Sequence, residues 1–120
     1  GQRRAGAGKP TMKGAWAEAL ACKHLLARGY ILLGQNQRTP FGEIDLWMQD
    51  GPTYVAIEVK QRRDSAFGTP LEPLTPTKYR RIYQSVLYLL GRDDAPVRLE
   101  AVLVYGTPRR FYLEHLRLEP

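Results

Sequence analysis

A chain of 120 residues is long enough for one compact domain and too short for two. Its single cysteine, Cys22, excludes a disulfide framework, and no Cys/His cluster with zinc-ligand spacing accompanies it. Lys and Arg number 18 against 12 Asp and Glu, so the net charge is +6. This excess favours a polyanionic partner, with nucleic acid first among the candidates, over a basic surface that binds nothing.

The first ten residues, GQRRAGAGKP, are basic and glycine-rich, which predicts a flexible basic tail over 1–10 and a single domain over 11–120. No apolar run is long enough to span a bilayer, and the N-terminus lacks the apolar segment of a signal peptide. We therefore expect a cytoplasmic protein without a membrane anchor.

The first predicted element is a helix over residues 11–29, TMKGAWAEALACKHLLARG, with Thr11 as N-cap and Gly29 just past its C-terminus. The β-prone segment YILLGQN and the turn RTPFG follow. Two strands then flank the turn signal Asp50-Gly51, which predicts a hairpin over residues 42–62.

After a Pro-rich loop, residues 75–91, TPTKYRRIYQSVLYLLG, predict a second helix with Thr75 as N-cap, Pro76 in its first turn and Gly91 at its end. Polar residues, Ser85 among them, are predicted on one side of it. The strand VRLEAVLVYG comes next, and RRFYLEHLRLEP adds an edge strand or a short terminal element. The order α-β-β-β-α-β predicts an α/β fold, with a helix on each side of a mixed central sheet.

The hairpin carries charges on what should be one face. Period-two alternation places Glu43, Asp45 and Trp47 on one side of the first strand, opposite Ile44, Leu46 and Met48. A two-residue turn at Asp50-Gly51 would put Glu43 opposite Glu58 and Asp45 opposite Ala56. Lys60 shares the face.

Like charges that face each other across a sheet are destabilising, so these carboxylates make sense around a divalent cation such as Mg²⁺. The alternative is a solvated face whose charges keep the protein in solution. Trp47 and Tyr54 share this face, and the opposite face is apolar and already supplies the core contact, which favours a site.

Asp45, twelve intervening residues and then Glu58-Val59-Lys60 resemble the PD-(D/E)xK nuclease superfamily. More closely, the chain resembles the YraN-type family of small bacterial proteins, which are similar to archaeal Holliday junction resolvases. The matching segments are AEALACKHLLARGYILLGQNQR, GEIDLWMQDG, AIEVKQRRDSAFGTP and TPTKYRRI. Ile44 stands where the superfamily name has Pro, and Ala17 precedes Glu18 where Gly is usual. Neither change removes a ligand.

The resemblance implies a restriction-endonuclease-like core in which Asp45 and Glu58 bind Mg²⁺ or Mn²⁺ and Lys60 orients or activates the hydrolytic water. It also implies that Glu18, on the first helix, completes the metal site. The alternative for Glu18 is a partly exposed acid in the first turns of a helix, where the helix dipole favours it.

Four basic residues are candidates for contacts with nucleic-acid phosphates: Arg62, Arg63, Lys78 and Arg81. A solvated basic face is the alternative. Gln84-x-x-x-Tyr88 echoes a motif of RecB-like nucleases, but this spacing is frequent by chance. His24 and His115 are expected at the surface or in packing contacts.

Together these features predict a metal-dependent endonuclease that acts on structured or branched DNA. A non-catalytic nucleic-acid-binding protein that retains the nuclease fold is the alternative. A third interpretation is an interaction protein whose partner supplies the activity, and a homodimer like that of junction resolvases is compatible with each of them.

Overall fold

The computed structural model of the protein describes residues 6–7, 14–62 and 75–119. The predicted order α-β-β-β-α-β is confirmed, with a strand added at either end of the sheet. Neither described helix combines the length and apolarity needed to cross a bilayer. The elements are β1 (Gly6–Ala7), α1 (Ala15–Ala27), β2 (Ile31–Thr39), β3 (Gly42–Asp50), β4 (Thr53–Arg62), α2 (Pro76–Leu90), β5 (Val97–Thr107) and β6 (Arg110–Arg117).

The six strands form one mixed sheet in the order β1-β2-β3-β4-β5-β6. Every neighbouring pair is antiparallel except β4 and β5, which run parallel. A parallel pair needs a crossover connection, and α2 lies in the connection between these two strands. Strand β6 pairs antiparallel with β5 and forms an edge of the sheet, as predicted for the C-terminal segment.

Helix α1 packs on one face of the sheet through small residues. Gly14 is its N-cap, so the prediction of Thr11 as the cap is wrong; Thr11 itself lies outside the described residues. Gly29 follows the helix at φ +94°, as predicted for a terminating glycine. The core on this face joins Ala17, Ala21, Cys22 and Leu25 of α1 to Leu46, Met48, Val55, Ile57, Val102 and Val104 of the strands.

Helix α2 covers the opposite face and has both predicted end signals. The Thr75 side chain accepts a hydrogen bond of 3.1 Å from the Lys78 backbone N–H, and Gly91 ends the helix at φ +70°. Ser85 is buried and hydrogen-bonded to Thr39 at 2.8 Å, so its predicted place on a polar side is wrong. The core here joins Val86, Leu89 and Leu90 to Ile44, Trp47, Ala56, Leu99, Ala101 and Leu118.

A buried polar network around Glu100 joins β3, β5 and β6 to Tyr30, which precedes β2. Its carboxylate accepts hydrogen bonds from the Tyr30 hydroxyl and from Arg98 Nε, the latter at 2.8 Å, and His115 Nε2 lies 2.8 Å from it. Arg98 extends the network to Asp50 at 2.6 Å. His24 packs edge-on against His115 at 5.8 Å between ring centroids, so both histidines make the packing contacts predicted for them.

Candidate active site

The β3–β4 hairpin turns one residue later than predicted. Asp50 pairs with Thr53, so the turn is Gly51-Pro52, and Trp47 lies opposite Ala56. Gly51 adopts φ +58°, and Pro52 is restricted to negative φ, which excludes a type I′ turn and fits the type II′ pattern with glycine first. The predicted pairs of Glu43 with Glu58 and of Asp45 with Ala56 are therefore wrong. The shift moves each partner by two positions, so the side-chain faces of β4 are unchanged.

Regular alternation along β3 is interrupted at Asp45. Ile44 and Trp47 both pack in the core beneath α2, whereas Leu46 packs beneath α1, so Ile44 does not share a face with Leu46 as predicted. The regular pairing of β3 with β4 ends at Leu46, and the Asp45 carboxylate instead accepts a 2.8 Å hydrogen bond from the Val59 backbone N–H. Asp45 is thereby fixed against the strand that carries Glu58 and Lys60.

The environment of Asp45 opposes its negative charge. Burial, above all, raises its pKa from 3.8 to about 6, against the lowering effect of the Val59 N–H. The charges of Glu18, Glu58 and Glu43 raise it further, in that order. The predicted carboxylates are therefore close enough to act on one another, and Asp45 is the one at which their fields converge.

Asn36 links Glu18 and Glu43, a role for which no residue was predicted. The Asn36 side-chain amide donates to Glu18 Oε1 at 3.0 Å and to Glu43 Oε1 at 3.4 Å. Asn36 is 2% exposed and adopts φ +50°, a conformation that Asn tolerates better than most residues. Burial and the charge of Glu43 raise the Glu18 pKa, while the Asn36 hydrogen bond lowers it. This role could not be predicted from the sequence, because Asn36 lies between two other amide residues, Gln35 and Gln37.

Glu58 and Lys60 form an ion pair beside Asp45. The Lys60 Nζ lies 3.0 Å from Glu58 Oε1, and both side chains remain partly accessible to solvent. Glu58 lines a cavity of about 50 Å³ together with Glu43, Asp45 and Ile82 of α2. This volume is enough for water, since about 10–15 Å³ of this kind of space is needed to hold one molecule.

The donor chemistry of the cluster fits a hard divalent cation. Carboxylate oxygens are the ligands that Mg²⁺ and Mn²⁺ prefer, and Mg²⁺ usually needs only one or two of them because it retains water. Within 14–62 and 75–119, no three His, Cys, Asp or Glu side chains form a ready-made metal cage. Asp45 and Glu58 could therefore hold only an ion that keeps most of its water, and Glu18 is hydrogen-bonded to Asn36 instead.

The predicted basic residues occupy different places. Arg62 ends β4 two residues beyond Lys60 and so shares its face. Lys78 is exposed one helical turn before Ile82, on the side of α2 that lines the acidic cavity. Arg81 is exposed in the same part of α2, and Arg63 lies outside the described residues.

Gln84 and Tyr88 do not belong to the acidic site. Together with Pro40, Phe41 and Leu87 they line a separate open groove of about 480 Å³ between α2 and the β2–β3 turn. Gln84 and Tyr88 have the spacing of a nuclease motif, but they add no residue to the site around Asp45.

The fold and the site define a mixed α/β protein whose central hairpin carries an Asp, Glu and Lys set beneath a capped helix. A model of the family described as "Uncharacterised protein family UPF0102" matches residues 17–104, and the chain belongs to this family. This confirms the YraN-type resemblance.

Individual relatives agree with that assignment over most of the chain. A UPF0102 protein of Thermus thermophilus is 60% identical over 108 residues, which are 90% of this chain and 96% of the relative. A UPF0102 protein of Deinococcus radiodurans is 41% identical, covering 78% of this chain and 80% of its own. One from Shewanella amazonensis is also 41% identical, covering 78% and 88%.

Proposed function

We propose that the protein is a metal-dependent endonuclease that hydrolyses phosphodiester bonds in structured or branched DNA, with Mg²⁺ or Mn²⁺ as cofactor. The observation that supports this best is the environment of Asp45. Its carboxylate is held by the backbone of β4, is acted on by the charges of three other carboxylates, and lines a cavity large enough for water beside the Glu58–Lys60 pair. A cation is the natural counterpart of such a cluster.

Asp45 and Glu58 would hold the ion, with Glu18 near enough to bind through water. When bound, the ion would polarise the scissile phosphate and increase the acidity of a coordinated water. The hydrogen bond from the Val59 N–H keeps the Asp45 carboxylate in place, so one of its oxygens is fixed before any ligand arrives.

Lys60 would serve the phosphate and the attacking water. Its ammonium group is a compact charge with three donors, and the 3.0 Å contact holds it beside Glu58, which lines the cavity. From there it can orient the water and balance the negative charge that develops on the phosphate oxygens. Lys78, one helical turn before Ile82, and Arg62, on the same face of β4 as Lys60, would bind the flanking phosphates.

A cleavage assay with matched variants tests the proposal. Labelled four-way junctions, flaps, single strands and duplexes are incubated with Mg²⁺, Mn²⁺ or EDTA. We expect Asp45→Asn and Lys60→Met each to lower the rate by at least about 100-fold. Asp93→Asn and Lys23→Met make the same chemical changes at exposed positions and should cleave like the wild type. Activity that persists in EDTA, or in both active-site variants, would refute the proposal.

Two measurements extend the assay beyond cleavage. Mg²⁺ should raise the thermal midpoint of the wild type and leave that of Asp45→Asn unchanged, because a ligand of the folded state alone stabilises it. Binding to DNA should weaken steeply with salt as phosphate contacts are lost. Binding without cleavage under every condition would favour the alternative, a non-catalytic nucleic-acid-binding protein. Light scattering would show whether the protein is a homodimer, which could place two sites on opposed strands.

A further inference from the structure

The face of the sheet that carries Glu58 and Lys60 continues past them into an aromatic row. Arg62 lies on this face at the end of β4 and is opposite Tyr105 of β5 in the parallel register. Tyr105 in turn is opposite Tyr112 of the edge strand β6. Side chains at paired positions share a face, so one cationic and two aromatic side chains lie side by side across three strands.

The two tyrosine rings form a stack with one open end. Their centroids lie 4.6 Å apart and their planes are 18° from parallel. Tyr105 is only 9% exposed, and its hydroxyl is 3.2 Å from a Glu114 oxygen, whereas Tyr112 is 52% exposed. The inner ring is thus fixed by its surroundings, and the outer ring offers a flat, supported surface to solvent. Another flat ring would extend the stack.

Arg62 adds a donor that lacks a partner among the described residues. Its Nε is buried and makes no hydrogen bond there. Buried donors are nearly always satisfied in folded proteins, so Arg62 has a hydrogen bond still to make beside the tyrosine stack. Phosphate oxygens and base edges are the acceptors that arginine prefers in nucleic acids.

We propose that Tyr112, supported by Tyr105 with Arg62 on the inner side of that ring, is a stacking platform for an unpaired base of a single DNA strand that leads away from the active site. This inference rests on the proposed function. From strand and residue spacings, Tyr112 lies about 12 Å from Lys60 along the backbone lattice of the sheet. A single strand whose phosphate reaches Lys60 can therefore place a base a few nucleotides away at Tyr112. Stacking is indifferent to sequence because every base has a π face.

Binding measured in EDTA tests the platform independently of hydrolysis. A short single-stranded oligonucleotide that contains 2-aminopurine reports stacking through quenched fluorescence, and titration gives its affinity. We expect Tyr112→Leu to weaken binding about tenfold and to abolish the quenching, and Tyr112→Phe to preserve both. Phe111→Leu is the matched control. Phe111 is the adjacent residue, is 42% exposed and points to the other face of β6, so this variant should behave like the wild type.

The outcomes separate this inference from the proposed function. If Tyr112→Leu binds the single strand within twofold of the wild type, the platform is refuted, whatever the enzyme cleaves. An equal loss in Phe111→Leu would also refute it, because the effect would then not depend on the face of β6 that carries the ring. If no DNA is cleaved in any metal but the Tyr112-dependent quenching is observed, the nuclease proposal fails and the platform stands.

Discussion

Replacing Asp45 by asparagine should make the metal-free protein more stable at neutral pH. Burial and three neighbouring carboxylates raise the Asp45 pKa from 3.8 to about 6, so folding favours its protonated form. The contribution of Asp45 to stability is therefore greatest below pH 3.8, falls as the pH rises towards 6, and stays low above it. Asparagine has a similar shape, keeps an oxygen for the Val59 N–H, and carries no charge.

The size of the effect follows from the pKa shift. Each unit corresponds to about 1.4 kcal/mol, so the ionised carboxylate lowers the free energy of unfolding by at most about 3 kcal/mol above pH 7. At about pH 4.5 the folded protein retains the proton, and only about 1 kcal/mol of the difference remains. With an unfolding entropy of about 2.1 cal/mol/K per residue, 3 kcal/mol raises the midpoint of a chain of this length by about 12 °C.

Urea unfolding of the wild type and Asp45→Asn, in EDTA at about pH 7.5 and 4.5, measures this difference. Asp50→Asn is the matched control, because Asp50 makes a 2.6 Å ion pair with Arg98 and its replacement should reduce stability at neutral pH. Our account of the site would be wrong if Asp45→Asn were no more stable than the wild type at pH 7.5. A gain of equal size at both pH values would refute the electrostatic explanation.

Three further substitutions test the local structure by urea unfolding. Asn36→Asp keeps the shape of the side chain but places a third carboxylate where an amide donor lay between two. The free energy of unfolding should fall by at least about 2 kcal/mol at pH 7.5, and most of this loss should be regained at pH 4.5. A loss that did not depend on pH would contradict this explanation. Thr75→Ala should cost about 1 kcal/mol through loss of the α2 cap, whereas exposed Thr77→Ala should not. Gly106→Ala should lower the free energy of unfolding more than Gly29→Ala. Both glycines have positive φ, but only a Cβ at position 106 would lie 2.2 Å from a backbone oxygen. Equal losses would argue against this clash.

Local signals in the sequence were sufficient for the second helix and for the faces of the hairpin. Thr75 and Gly91 lie at the helix ends because capping depends on neighbouring backbone groups alone. The turn of the hairpin was misplaced by one residue because Asp50-Gly51 is a strong turn signal. The restriction that Pro52 places on φ outweighs it.

Features that depend on contacts between residues distant in sequence could not be predicted. The interruption at Asp45 arises from its bond to Val59, and the closure of the cavity depends on Ile82 of α2. What distinguishes Asn36 from its glutamine neighbours is its hydrogen bond to Glu18 of α1, which the sequence does not show. Glu100, in the middle of an apolar strand, gave no sign that it is only 5% exposed and lies at the centre of a buried network.

The parallel pairing of β4 and β5 also bears on folding kinetics. Strands β2, β3 and β4 are joined by two-residue turns and can associate locally, whereas β5 must return across α2 to lie beside β4. Contacts between residues distant in sequence form late because closing the loop costs entropy. While only the hairpin has formed, Asp45 is largely hydrated, so most of the cost of its charge arises when the helices pack on the sheet. Asp45→Asn should therefore act mainly by slowing unfolding, and leave the folding rate of the metal-free protein almost unchanged.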